Sequence, residues 1–146
     1  MQIISTAFPH NGEIPPQYTC DGQDINPPLA IRDVPRGTKS LALIVDDPDA
    51  PQGLWVHWTL WDISADTKEI FENSVPRKSV EGETSFGKPG YGGPCPPSGE
   101  HRYFFKVYAL DIELNLPSDA DKEDVEEAMV GHVLDHAELI GLYQRK

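Results

Sequence analysis

Three stretches of this chain are apolar at nearly every position, yet each is too short to make a buried helix. The first, Ser40-Leu41-Ala42-Leu43-Ile44-Val45-Asp46, is an unbroken apolar run of strand length, as expected of a strand covered on both faces. The second, Leu54 to Ile63, is apolar and aromatic at both parities. The third, Arg102 to Leu110, is rich in aromatic and β-branched residues and reads as another strand. Leu29-Ala30-Ile31 adds a shorter one, and the Pro-punctuated residues 1 to 16 leave room only for a brief edge strand. From Asp119 the pattern changes. Val125, Ala128, Met129, Val133, Leu139, Ile140 and Tyr143 share one face at 100° per residue, with Glu123, Glu127 and Glu138 opposite, which predicts an amphipathic C-terminal helix capped by Ser118 or Asp121. The pattern predicts a mainly β protein, a sandwich or barrel covered by that helix.

Between the second and third runs lies a connection from Ser64 to Glu100, 37 residues without sustained periodicity. Connections of that length are usually functional or disordered. Its end argues for order, because nine of the thirteen residues from Gly87 to Gly99 are Gly or Pro, so the segment is neither helix nor sheet interior and has little freedom. It forms a stiff wall that delivers His101 and Tyr103 where loop meets strand.

Composition narrows the function. At 146 residues, 1–146 is expected to be a single domain with a core of its own. Twelve basic residues against twenty-four acidic give a formal charge of −12, which repels nucleic acid and anionic membrane surfaces, so any bound anion must enter a local site. The first residues lack a basic and then apolar leader, and no run approaches a membrane span; the expectation is a soluble, cytoplasmic protein. Cys20 and Cys95 are too distant in sequence for a CxxC pair and too few for a zinc site. Both lie in turn-like surroundings, so they are either two reduced thiols, as an intracellular setting favours, or a bridge between the N-terminal segment and the Pro-rich loop.

Polar groups collect at the strand ends: Asp46, Asp47 and Asp49 after the first, His57 near the start of the second, His101 and Tyr103 at the start of the third. Antiparallel neighbours would bring these ends into one pocket. A carboxylate beside two imidazoles is expected to raise their pKa, leaving one to bind a phosphate or carboxylate with help from Tyr103 and glycine N–H groups. Arg102 points to the opposite face from His101 and reads as an ion-pair partner. Metal sites are weaker readings. His132 and His136 are spaced i, i+4 without an HExxH motif, and the aspartates with His57 and His101 could form a two-His-carboxylate set; no metal and no cofactor is expected. No nucleophile elbow or phosphate loop is present, and Cys95 is the only candidate nucleophile.

Taken together, Asp47-Pro48-Asp49-Ala50-Pro51, His57-Trp58, Gly93-Pro94-Cys95-Pro96-Pro97-Ser98-Gly99 and His101-Arg102-Tyr103 closely resemble the phosphatidylethanolamine-binding protein family, in its prokaryotic Raf-kinase-inhibitor-like branch. Tyr18-Thr19-Cys20-Asp21-Gly22, Pro27-Pro28-Leu29 and Ala137 to Tyr143 extend the resemblance over nearly the whole chain. It implies an antiparallel β-sandwich with few helices and a small anion pocket. The family's ligand residues then fall on Asp47, His57, His101 and Tyr103, with Gly93, Pro94, Pro96 and Pro97 as the rim. Eukaryotic members carry two adjacent histidines where this chain has Val56-His57, and their Pro-rich loop is spaced differently and lacks Cys, so kinase binding and floral signalling do not transfer. The leading reading is a binding protein for a phosphate ester or phospholipid-headgroup-like anion, acting in regulation through pocket occupancy. Inhibition of a serine protease or kinase comes second, and a small hydrolase or lyase using the pocket histidines third. The expected partner is the small anion, with a target protease or kinase under the second reading; self-association as a homodimer is left open.

Overall fold

The three apolar runs become the middle of a sheet. The computed structural model describes residues 1–146, in which the strands are β1 (Gln2–Ile4), β2 (Gly12–Glu13), β3 (Leu29–Arg32), β4 (Ser40–Asp47), β5 (Trp55–Ser64), β6 (Glu69–Ile70), β7 (Val80–Glu81), β8 (His101–Leu110) and β9 (Val133–Tyr143). One helix, α1 (Lys122–Met129), and a 3-10 turn at Pro16–Tyr18 complete the chain. The larger sheet has the order β2-β9-β8-β4-β5-β7, and β1-β3-β6 forms the smaller one. All pairings are antiparallel except β2 with β9, which run parallel.

All eight residues of β4 are buried, and the strand pleat explains why its apolar run is continuous. Leu41, Leu43 and Val45 face the core between the sheets, where they meet Ile3, Ile31, Ile70, Phe105 and Trp58. Ala42 and Ile44 face the other way into a second core with Trp61, Leu110, Val125 and Met129, closed by α1. On β5 a bulge opposite Leu41 and Leu43 changes the alternation, so that Leu60 and Ile63 both face the first core while Trp61 faces the second. Asp62, with φ 55°, takes up that irregularity, and its carboxylate accepts from the N–H groups of Leu114 and Asn115 at 2.7 and 3.0 Å.

The C-terminal helix ends earlier than its pattern predicts. Asp121 caps it in a reciprocal box with Asp124, each carboxylate accepting the other residue's N–H, at 3.0 and 3.1 Å. It stops after Met129; Gly131 turns the chain with φ +80°, and Val133–Tyr143 returns as a strand along the length of β8. Leu139, Gly141 and Tyr143 are buried at alternate positions, a period-2 pattern embedded in the helical one. Without this partner the N–H and C=O groups along one edge of β8 would be unpaired, and that ladder decides between the two periodicities. The helical spacing of His132 and His136 disappears with the helix: His132 Nδ1 bonds Asp111 at 2.8 Å, and His136 rests against Tyr108. Cys20 and Cys95 are joined in a disulfide with their Cα atoms 5.5 Å apart. No helix is long and apolar enough to cross a membrane.

Candidate functional site

Because β5 and β8 flank β4 and both run antiparallel to it, their first residues lie beside its last ones: Asp47 is opposite Trp55, and Asp46 is opposite Phe104. The pleat then separates two adjacent carboxylates. Asp46 turns to the α1 side, where its Oδ2 accepts from Lys106 Nζ at 3.0 Å, and burial raises its pKa. Asp47 turns to the opposite side. Its Oδ1 accepts from the Asp49 N–H and its Oδ2 from the His101 Nδ1–H, both at 2.7 Å. Asp49 in turn accepts from the backbone N–H, Nε and Nη2 of Arg102 at 2.9–3.0 Å, and that guanidinium holds the Asp49 carboxyl down to about 2. The Asp47–Asp49 turn is thus fastened to the start of β8, with Arg102 outside and His101 inside.

The Pro-rich loop is fastened with equal care. Gly92 donates its N–H to the His57 carbonyl at 3.0 Å and accepts from the His57 Nδ1–H at 2.7 Å. Gly93 N–H donates to Asp24 Oδ1 at 2.7 Å, Tyr91 Oη to the Tyr18 carbonyl at 2.7 Å, and Cys20 N–H to the Pro94 carbonyl at 3.1 Å. Beyond these bonds and the disulfide, Pro97 to Glu100 is exposed.

Asp47, His57, Pro96, Pro97, His101 and Tyr103 meet around one cavity of about 280 Å³. Its walls include Ala50, Pro51, Gln52, Trp55, Phe86 and Cys95. Both imidazoles have Nδ1 committed to the protein, which leaves each Nε2 for the cavity. The rings are held against Tyr103, His57 edge-on at 5.3 Å and His101 stacked at 6.4 Å between centroids. The Tyr103 hydroxyl is buried and has no hydrogen-bond partner; burial first, and then the Asp47 charge, push its pKa up, so it stays a donor.

Two expectations change here. Gly93 and Pro94 do not line the cavity, because Gly93 N–H is taken by Asp24 and Pro94 C=O by Cys20; they anchor the loop from behind. His57 has its pKa lowered, not raised: its burial outweighs the Gly92 carbonyl and the Asp47 charge, which act the other way. Nor do the aspartates converge on the histidines as a metal set, since Asp46 faces α1 and Asp49 holds Arg102. The pattern of the chain gave no warning of Trp55 and Phe86, which meet edge to face at 5.5 Å at the mouth. Trp55 was masked by the apolar run it begins, and Phe86 stood alone in the aperiodic connection.

A sandwich whose central strand ends deliver Asp47, His57, His101 and Tyr103 to one cavity is the arrangement implied by the motif resemblance, and comparison with known proteins bears on its family and fold. The chain belongs to the phosphatidylethanolamine-binding protein family, whose family model, described as "Phosphatidylethanolamine-binding protein", matches residues 4–144. It is 53% identical over 150 residues to the UPF0098 protein of Methanothermobacter thermautotrophicus, with 99% of both chains covered. To the UPF0098 protein of Aquifex aeolicus it is 51% identical over 152 residues, covering 99% of this chain and 89% of that one. Among solved structures, a Chlamydia trachomatis phosphatidylethanolamine-binding protein homolog superposes with a TM-score of 0.96 at 43% identity, covering 99% of this chain and 97% of the other. Escherichia coli YbcL, described as a new member of the mammalian family, gives a TM-score of 0.92 at 31% identity, with 99% and 98% covered.

Proposed function

We propose that this cavity binds a small anion of phosphate-ester or phospholipid-headgroup-like chemistry and that its occupancy serves a regulatory role. The observation that carries this is the buried, unpartnered Tyr103 hydroxyl beside two imidazoles whose Nε2 atoms are left free. Burying a hydroxyl without a partner costs about 1–3 kcal/mol, a penalty that a ligand oxygen would remove. The family's description names a phosphatidylethanolamine ligand, which is consistent with an oxygen-rich anionic head at this point.

Tyr103→Phe tests the reading by opposite signs. It keeps the ring and removes the orphan hydroxyl, so the free protein should melt at the same or a higher temperature, while affinity for glycerophosphoethanolamine should fall about tenfold, as for loss of a hydrogen bond to a charged group. Thermal melting and calorimetric titration of the same variant give both numbers. Unchanged affinity overturns the reading.

A second reading, inhibition of a serine protease, is favoured by one observation: Pro97 to Glu100 is an exposed segment following the Cys20–Cys95 bridge, a braced loop of the kind that can enter a protease cleft. Residual activity of chymotrypsin- and elastase-like proteases after incubation with the protein decides it, and full activity removes it.

A further inference from the structure

The geometry points to a pocket that selects singly charged organic anions bearing an apolar or aromatic group and turns away free phosphate and doubly charged phosphate monoesters. This rests on the anion-binding reading above and narrows it to a ligand class.

The first ground is the charge count. No lysine or arginine lines the cavity. Arg102 is held on the outside by Asp49, and Lys106 is paired with Asp46 on the α1 side of the sheet. The groups facing His57 are Asp47 from β4, Tyr103 from β8, Phe86 edge-on at 5.4 Å, the Gly92 carbonyl and Gly93 backbone of the Pro-rich loop and, at longer range, Asp24. Burial lowers the His57 pKa from its ordinary value, so near neutral pH and above its ring is uncharged. The Asp47–His101 pair, 2.7 Å apart, sums to zero if the ring carries a second proton and to minus one if it does not. In neither case does the site hold a net positive charge. A single negative charge can be met by the Tyr103 O–H and, when the His101 ring carries its second proton, by its Nε2–H, whereas a second would be buried uncompensated, inside a protein of formal charge −12.

The second ground is the hydrogen-bond sense. A neutral His57 that donates from Nδ1 has a lone pair at Nε2, so it accepts. A monoester that keeps its second proton can donate to it, whereas the dianion and the diester cannot; this contact therefore favours the singly charged over the doubly charged monoester, and the preference for the diester over the dianion rests on charge.

The third ground is the wall. Trp55 and Phe86 remain 38% and 40% exposed at the mouth, with Pro51, Pro96 and Pro97 around them. Large aromatics left open beside a polar floor match a ligand whose substituent stacks as its head goes in.

Calorimetric titration with phenyl methyl phosphate, phenyl phosphate, dimethyl phosphate and inorganic phosphate separates the grounds. At about pH 8 phenyl phosphate should bind at least about tenfold more weakly than the diester, and at about pH 5.5, below its second pKa of about 6, the gap should close to roughly threefold. The diester has no titration in this range, so its own pH dependence reports the protein alone. Dimethyl phosphate should bind at least about fivefold more weakly than the phenyl diester, a difference that Trp55→Ala removes. Gln52→Lys, which adds a cation at the rim, should strengthen phenyl phosphate binding about tenfold at pH 8 and change the diester less than about twofold. If phenyl phosphate or inorganic phosphate binds as tightly as the diester at pH 8, the selectivity is overturned while anion binding stands. If none of the four binds at either pH, both fall.

Discussion

The disulfide ties together the two segments that hold the pocket rim, so reducing it is a test of the fold and of the site. Cys20 and Cys95 are 75 residues apart, and on the chain-entropy account a closed loop of that size restricts the unfolded chain by about 4.5 kcal/mol. The native junction does not depend on the bridge alone: Cys20 N–H bonds to the Pro94 carbonyl, Tyr91 to the Tyr18 carbonyl and Gly93 to Asp24. Reduction should therefore leave the fold in place and act mainly by releasing the unfolded state. At about 2–4 °C per kcal/mol for a chain of this size, the melting temperature should fall by about 9–18 °C. Thiol titration in denaturant should find no free thiol in unreduced protein. Scanning calorimetry with and without reductant, and of Cys20→Ser/Cys95→Ser, gives the shift, and the urea m-value should rise as the released chain exposes more surface. Two free thiols in unreduced protein, or a reduced protein melting within about 2 °C of the oxidised one, would refute the reasoning.

Two further outcomes are expected. Lys106→Met leaves Asp46 buried with neither carboxylate oxygen partnered and should cost about 2–3 kcal/mol in urea unfolding near neutral pH; adding Asp46→Asn should recover most of the loss. Stability should also depend on pH in two steps. His57 has its folded pKa below 6.5, so the unfolded chain takes up a proton first and stability falls as pH drops below about 6.5, a step that His57→Asn removes. Asp49 is depressed from 3.8 to about 2, so its contribution holds above about 4 and is lost between about 4 and 2. That second step is small because Arg102 is largely exposed, and Asp49→Asn abolishes it.

The centre of the sheet was legible because β4, β5 and β8 are buried on both faces, or nearly so, and a strand in that position leaves an apolar run that helices of ordinary length do not imitate. Residues 133–143 were not. Leu139, Ile140 and Tyr143 suit a helical stripe, while Ala137, Leu139, Gly141 and Tyr143 suit a pleat, and the acidic N-terminal turn ahead of them belongs to a helix that does form. Which period prevails depends on whether β8 already has a partner on that side, a fact held elsewhere in the chain. The register shift in β5 was hidden for a similar reason: Asp62 reads as an ordinary polar residue near a strand end, and its left-handed backbone and two accepted N–H groups exist only once the segment at Leu114 and Asn115 is in place.

The site divides along the same line. Asp47, His57, His101 and Tyr103 could be placed together from strand ends alone, since β5 and β8 on either side of β4 must start where β4 finishes. What each group does there depends on what lies behind it. His57 and His101 present the same atom to the cavity and have the same atom tied down, but one is tied to a carbonyl and the other to a carboxylate. A ring backed by a carbonyl and buried stays a neutral acceptor; a ring backed by a carboxylate has a fixed counter-charge for any proton it holds. The difference is set by Gly92, in the Pro-rich part of the connection, whose carbonyl takes the His57 Nδ1–H while the Asp47 carboxylate takes that of His101. A cavity with two histidines is therefore not a cavity with two cations, and the charge a ligand can bring follows from the loop as much as from the imidazoles.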